Sequence, residues 1–163
     1  MYTILLLTET TLREHDVQRI AQLHGAEEIS IHLLVPADAE HHRLIEALDE
    51  IALGRLRDAL DDDDEQTPQE AEQEAMHAVN ASVDLLAAAG LTAHGSVTGS
   101  DPVPAAMEAA RRGDSDEVLV VTPPHLVTGA LHRDWPSRLR GDLPLPVLHR
   151  VAGTVLVLDR TLR

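Results

Sequence analysis

The sequence predicts an α/β fold with a doubly wound, mostly parallel five-stranded sheet, helices on both faces and an extra C-terminal strand. Short apolar runs of strand length alternate with segments of helical periodicity, and strands joined through helices pair in parallel. The chain has 163 residues, of which 44% are hydrophobic, so we expect residues 1–163 to form a single domain.

The first βαβ unit occupies the amino-terminal part of the chain. Tyr2–Leu7 is a continuous apolar run, which is typical of a strand buried on both faces. Thr11–Glu14 has the spacing of a capping box and predicts the start of a helix that ends at Gly25. Ile29–Val35 is the second strand, and Pro36 should stop it.

The next segment contains one helix and one acidic run. Asp38 can cap a helix whose apolar positions extend from Leu44 to Ala59. Asp61–Gln66 contains five adjacent acidic residues, which repel one another and predict a solvated surface loop. A calcium site is the alternative, but calcium loops place their acidic residues at alternate positions around a glycine, and this run does not.

A second capping box and a tight turn organise the middle of the chain. Thr67–Glu70 predicts a helix start with proline at the first helical position, and the helix closes at Gly90. Leu91–Thr98 is the third strand. Asp101 caps the following helix, Val103–Arg112.

Three more strands complete the pattern. Val118–Thr122 and Val147–Val151 are the fourth and fifth, separated by a short helix over Asp134–Arg140. Thr154–Asp159 is an extra strand, and its two-residue link to the fifth cannot form a parallel crossover. It forms a hairpin or crosses to a second subunit, and we expect it to contribute to a homodimer because an apolar edge strand must be covered. The expected core positions include Leu5, Leu7, Ile31, Leu33, Val118, Val120 and Val147.

Composition excludes several classes of function. The chain has no cysteine and no lysine, which excludes disulfides, thiolate catalysis and Schiff-base chemistry. A formal net charge of −15 argues against binding nucleic acid or anionic membranes. The sequence has no apolar run of membrane-spanning length, and its start lacks the basic region of a signal peptide, so we expect a cytoplasmic protein.

Four stretches, in order, resemble the universal stress protein family: "ILLLT", "IHLLV", "GSDPVPAAMEAARRGDSDEVLVVT" and "LPLPVL". The resemblance covers nearly the whole chain and implies an adenine-nucleotide-binding type of α/β fold. We therefore expect the strand order 3-2-1-4-5. Family members dimerise through their last strands, which agrees with the role expected for Thr154–Asp159.

The resemblance also implies where a nucleotide would bind. ATP-binding members have an aspartate at the end of the first strand, where this chain has Thr8 followed by Glu9. They bind adenine partly through backbone at the end of the second strand, which is Val35 here. The candidate nucleotide-binding residues are Thr8, Glu9, Val35, Gly99, Pro102, Thr122, His125, Gly129, Arg133 and Arg138.

The loop after the fourth strand departs from the family pattern. ATP-binding members have Gly-x2-Gly, nine further residues, and then Gly-Ser or Gly-Thr. Pro123–Arg133 contains only Gly129, and Gly141 is followed by Asp142. Two prolines also remove backbone N–H donors from the loop, so the chain resembles a divergent member that lacks most of the phosphate-binding loop.

The cationic residues near this loop have two interpretations. His125, Arg133 and Arg138 could hold a phosphate, because arginine forks suit that group. Alternatively, the arginines pair with Asp134 and Asp142, which lie close to them in sequence.

Several other polar and aromatic residues have structural roles that the sequence predicts. Glu9 could face the ligand crevice, or it could be a solvated carboxyl near a helix start. Trp135 is expected to pin the last helix to the sheet. His32, His94 and His149 lie within strands, where we expect satisfied core or edge histidines.

Three hypotheses of function follow. The first is a non-catalytic, dimeric stress-response or regulatory protein of the universal stress type, with weak or absent ATP binding and no required cofactor. The second is a genuine adenine-nucleotide binder, for ATP or AMP, that uses His125, Arg133 and Arg138 at the phosphate position. The third is an enzyme of the wider nucleotide-binding class, which the sequence supports least because it has no nucleophile–base signature, no catalytic residue and no metal-ligand cluster.

Overall fold

The structure is a computed structural model that describes residues 1–23, 28–38, 67–122 and 135–152. In chain order its elements are β1 (Tyr2–Thr8), α1 (Glu14–Leu23), β2 (Ile29–Pro36), α2 (Pro68–Ala88), β3 (Thr92–Thr98), α3 (Val103–Arg111), β4 (Glu117–Thr122), α4 (Trp135–Asp142) and β5 (Val147–Val151). Over these ranges no helix is both long enough and apolar enough to cross a membrane.

The five strands form one sheet in the order β3-β2-β1-β4-β5, and every neighbouring pair is parallel. This confirms the predicted fold class and strand order. The chain passes from β1 outward to β2 and β3, and then returns to the other side of β1 with β4 and β5. The order therefore reverses between β1 and β4, and folds of this type bind ligands beyond the carboxyl ends of the strands at such a reversal.

The sheet separates two layers of apolar packing because successive side chains of a strand point to opposite faces. On one face, Ile4 and Leu6 of β1 pack in a buried cluster with residues of α1 and α2. On the other, Leu5 and Leu7 pack in a cluster that contains residues of α3 and α4. Trp135 belongs to this second cluster and is buried, so it anchors α4 to the sheet as the sequence predicts. The predicted core residues Leu5, Leu7, Ile31, Leu33, Val118, Val120 and Val147 are all buried.

The capping box at the start of α2 forms as predicted. The Thr67 backbone N–H donates to Glu70 Oε2 at 2.7 Å, and the Glu70 N–H donates to Thr67 Oγ1 at 3.3 Å. The hydrogen bonds that Thr67 donates to the ionised carboxylate hold the pKa of Glu70 below its usual value.

Two other predicted boundaries are wrong by a few residues. Helix α1 begins at Glu14 instead of directly after Thr11, and the Arg13 carbonyl accepts a hydrogen bond from the Val17 N–H. Pro36 is the last residue of β2, not the residue that stops it. A proline can end a strand in this way because only its own N–H is missing from the ladder.

Several predicted elements lie outside the described residues. They are the helix expected after Asp38, the acidic loop over 61–66, the turn after α1 at Gly25, and the extra strand over 154–159.

Gly95 of β3 allows α2 to pack closely on the edge of the sheet. A Cβ atom at this position would lie 2.5 Å from Cγ1 of Val79 and 3.5 Å from Cβ of Leu33. Val79 and Leu33 are both buried, and Val79 is β-branched with a stiff side chain, so neither can easily make room. The close contact between α2 and β3 therefore requires glycine.

We predict that Gly95→Ala destabilises the protein by about 1–3 kcal/mol, because the added methyl overpacks the α2–β3 contact. The matched control is Gly141→Ala, since a Cβ there meets nothing within 4 Å and alanine favours helix. Urea unfolding followed by circular dichroism measures both. Equal stability of the two variants would contradict the close-packing explanation, and Val79→Ala should partly rescue Gly95→Ala.

Candidate functional site

The end of β1 and the residues that follow form the centre of the candidate site. Thr8 is buried, and its Oγ1 donates to the Thr10 carbonyl at 2.9 Å, which closes a tight turn. Glu9 is 3% exposed, so the prediction of a solvated carboxyl is wrong and the side chain is enclosed. The chain beyond the turn is tied to α2, because the buried Ser82 Oγ accepts from the Leu12 N–H at 3.0 Å.

The neighbouring strands bring two more predicted residues to the same edge of the sheet. Leu7 pairs in register with Leu34 of β2, and Thr8 pairs with Val121 of β4. Val35 and Thr122, one residue further along each strand, therefore end level with Thr8 and Glu9. All four predicted residues at these strand ends are buried, and they meet at the point where the strand order reverses.

The hydroxyl of Thr122 interacts with a histidine that no sequence pattern assigns to the site. Thr122 Oγ1 lies 2.9 Å from Nε2 of His149, on the adjacent strand β5. His149 pairs in register with Val120, so its side chain reaches along the sheet towards the carboxyl end. No local sequence signal connects these two residues, because the contact depends on the register between β4 and β5.

Asp38 is a second residue at this edge that the sequence patterns leave out of the site. It follows the end of β2 by two positions, and its carboxyl group is buried at the same edge of the sheet as Glu9. The sequence predicts only a helix-capping role for it. Its position beyond a doubly buried strand is the signal that could have found it, because ligands of such folds bind outside the strand ends.

The turn between β3 and α3 carries Gly99 and Pro102, two further predicted residues. The prediction that Asp101 caps α3 is wrong, because Pro102 is the N-cap residue and no side chain caps the helix. Asp101 instead fixes the turn, since its Oδ1 accepts from the Val103 N–H at 3.1 Å. The turn is also joined to the end of β2, since the Ala37 N–H donates to the Thr98 carbonyl at 3.0 Å. Pro102 is buried as the residue before α3.

Arg138, predicted as a phosphate ligand, forms an ion pair with the same aspartate. Its Nη2 donates to Asp101 Oδ2 at 2.8 Å, so Asp101 bridges the start of α3 to α4. Proximity in sequence favours Asp142 as the partner, and the charge of Asp142 does act on the arginine, but the hydrogen bond is to Asp101. This hydrogen bond, with the charge of Asp101, raises the pKa of the Arg138 guanidinium further.

The remaining predicted ligands, His125, Gly129 and Arg133, lie outside the described residues. The described part of the site therefore combines two buried acidic side chains, two threonine hydroxyls and the backbone at the end of β2. Such groups suit hydrogen bonding to the hydroxyl and amino groups of a small polar molecule. They do not by themselves provide positive charge for a polyphosphate.

We predict that Asp101→Ala destabilises the protein more than Arg138→Ala. Asp101→Ala removes both the ion pair and the hydrogen bond to the Val103 N–H, and a side-chain hydrogen bond contributes about 0.5–1.5 kcal/mol. Arg138→Ala removes only the half-exposed ion pair, which contributes about 0–1 kcal/mol. Asp101→Asn separates the two roles, because asparagine still accepts from the Val103 N–H but cannot form the ion pair. It should match Arg138→Ala in urea unfolding. If Asp101→Asn were as damaging as Asp101→Ala, the hydrogen bond to Val103 would not be the main contribution.

Comparison with known proteins supports the fold and not the site. No family model matches the sequence, and no curated protein matches it either. Among solved structures, a universal stress protein from Archaeoglobus fulgidus is 12% identical with a TM-score of 0.53, over 91% of this chain and 93% of that one. A universal stress protein family protein from Arabidopsis thaliana, solved with AMP bound, is 11% identical with a TM-score of 0.51, over 93% of each chain.

A third similar structure is a protein whose biochemical function was assigned from its structure. It is 13% identical with a TM-score of 0.52, and the match covers 94% of this chain and 98% of that one. These identities are too low to transfer an activity, but the matches extend over nearly the full length of both chains. The chain has the fold of the universal stress proteins.

Proposed function

We propose that the chain is a non-catalytic, homodimeric stress-response or regulatory protein of the universal stress type, which binds ATP weakly or not at all. The observation that carries the proposal is the arrangement of charge at the carboxyl edge of the sheet. Glu9 and Asp38 are buried there, and Arg138 already binds Asp101.

A triphosphate at this edge meets unfavourable electrostatics. Two buried acidic side chains, Glu9 after β1 and Asp38 after β2, lie at the carboxyl edge of the sheet in a chain whose formal net charge is −15. Long-range repulsion lowers the local concentration of anions unless a cationic cluster offsets it. Arg138 is paired with Asp101, whose negative charge partly offsets the positive charge that the arginine could offer to a phosphate.

The hydroxyl of Thr122 is also engaged within the protein. It lies within hydrogen-bond distance of His149, and the Thr122 carbonyl accepts from the Ala152 N–H at 2.7 Å. Both contacts of Thr122 are made by β5 and by Ala152, which directly follows β5. A ligand group that takes this hydroxyl must replace an existing interaction.

The alternative is a genuine adenine-nucleotide binder that uses His125, Arg133 and Arg138 at the phosphate position. The similar structure with AMP bound favours it, since that protein binds a nucleotide on a similar fold. AMP is also the less charged ligand, so repulsion from Glu9 and Asp38 opposes it less than it opposes ATP.

We predict that calorimetric titration of the full chain with ATP gives no binding in the micromolar range, and that ATP hydrolysis stays at background. Each charge-assisted hydrogen bond missing from a phosphate site costs about 1.5–3 kcal/mol, so the loss of a glycine-rich cradle removes most of the affinity. Micromolar or tighter ATP binding would overturn the proposal. In that case Arg133→Ala and Arg138→Ala should abolish binding, and Arg140→Ala, which changes a neighbouring cation, should not.

The proposed dimer forms through β5 and the segment that follows it. Among the described residues, β5 is an edge of the sheet, and Leu148 on it is a large apolar side chain that is 40% exposed. The apolar segment over 154–159 follows directly in the sequence. A two-fold partner covers both features at once.

Light scattering at micromolar concentration should therefore give twice the mass of the 17.7 kDa chain. Deleting residues 154–163 should give a monomer or an aggregate, because β5 then loses the apolar segment that completes the interface. Leu148→Glu is the finer variant, since it adds a charge to the proposed interface and leaves the buried core intact. A monomeric full-length protein would contradict the dimer while leaving the nucleotide prediction untouched.

A further inference from the structure

Two histidines stack on each other beside the edge strand β3. His32 of β2 and His94 of β3 are directly paired in register, and their rings stack with centroids 4.5 Å apart and an interplanar angle of 20°. His94 is exposed and His32 is half-buried. His149 is a third histidine of the sheet, and its ring nitrogen Nε2 lies against the Thr122 hydroxyl.

The two histidines lie on the face of the sheet that carries α3 and α4, at a part of that face that is exposed to solvent. His32 shares a face of the sheet with Leu34, because residues two apart on a strand point the same way, and Leu34 packs in the cluster that contains residues of α3 and α4. On the neighbouring strand β3, His94 and Ser96 of the same face are exposed. This part of the sheet therefore presents both imidazoles at an open polar surface.

The acidity of the chain favours a cation over an anion at this surface. The formal net charge of −15 raises the local concentration of cations around the whole protein.

A contact at one ring nitrogen of His32 leaves the other ring nitrogen available to a metal. Ser96 Oγ lies 3.4 Å from Nε2 of His32, where it can orient the ring, as hydrogen-bonding groups do around metal-binding histidines. This contact leaves Nδ1 of His32 for the metal.

We propose that His32 and His94 form a surface site for one divalent transition-metal ion, such as Zn²⁺ or Cu²⁺, with water completing the coordination. Two metal–nitrogen bonds of about 2.0–2.1 Å each place the two nitrogens at most about 4.2 Å apart. The stacked rings must therefore turn about their side-chain bonds to aim at a common point, and the exposure of His94 leaves room for that rotation. Imidazole is a preferred ligand of both ions, and Cu²⁺ should bind more tightly than Zn²⁺.

The site has two histidine ligands and no third protein ligand in the part of the chain that the structure describes, where no group of three or more metal-binding side chains occurs. Open coordination positions make the ion exchangeable, so we assign it a binding role and no catalytic one. The site is separate from the carboxyl edge that carries Glu9 and Thr122, because His32 lies in the middle of β2.

The test is calorimetric titration of the untagged full chain with Zn²⁺ at pH 7.5, comparing His32→Asn, His94→Asn, the double variant and His77→Asn. His77 is an exposed histidine on α2 and serves as the matched control. Each variant of the pair should lose one bound Zn²⁺ per chain, the double variant should lose no more than either single variant, and His77→Asn should keep the full stoichiometry. Unfolding curves without metal establish that the variants fold.

Two results would overturn the proposal. One is unchanged Zn²⁺ stoichiometry in folded His94→Asn, which would place all bound metal on other histidines. The other is additive loss in the double variant, which would show two independent weak sites instead of one shared ion. Lowering the pH to 5.5 should weaken the wild-type site, because protons compete for the same nitrogens.

Discussion

The burial of β1 on both faces is the constraint on which the rest of the structure depends. Ile4, Leu5, Leu6 and Leu7 are all fully buried, alternately in the two apolar layers. A central strand of this kind needs a hydrogen-bonded neighbour on each side and a layer of helices on each face. The order β3-β2-β1-β4-β5 provides the sheet neighbours, and it also creates the strand-order reversal between β1 and β4, where folds of this type bind ligands.

Polar groups near the carboxyl edge of the sheet hold elements of the protein together. Asp101 joins α3 to α4 through Arg138, and Thr122 joins β4 to β5 through His149. Ser82 fixes the segment after β1 to α2. The hydrogen bonds of Thr122 and Ser82 matter most for stability, because both residues are buried and a buried polar group is costly unless it is hydrogen-bonded.

The two edges of the described sheet differ in chemistry, and this suggests different uses. The β3 edge presents threonine, histidine and serine on its open face, with a close-packed glycine on the other. The β5 edge presents an exposed leucine and continues into an apolar segment of the sequence. A polar edge resists pairing with another strand, whereas an apolar edge favours burial against a partner.

The sequence by itself determined the fold class and the apolar core positions, because apolar runs, capping boxes and turn residues are local signals. The strand order was expected from the resemblance to the universal stress proteins. It could not determine which side chains meet across the sheet. The contacts of His32 with His94, His149 with Thr122, and Arg138 with Asp101 depend on strand register and helix placement. The burial of Glu9 was likewise decided by tertiary structure, because a residue just past a strand end is solvated or enclosed according to what packs over it.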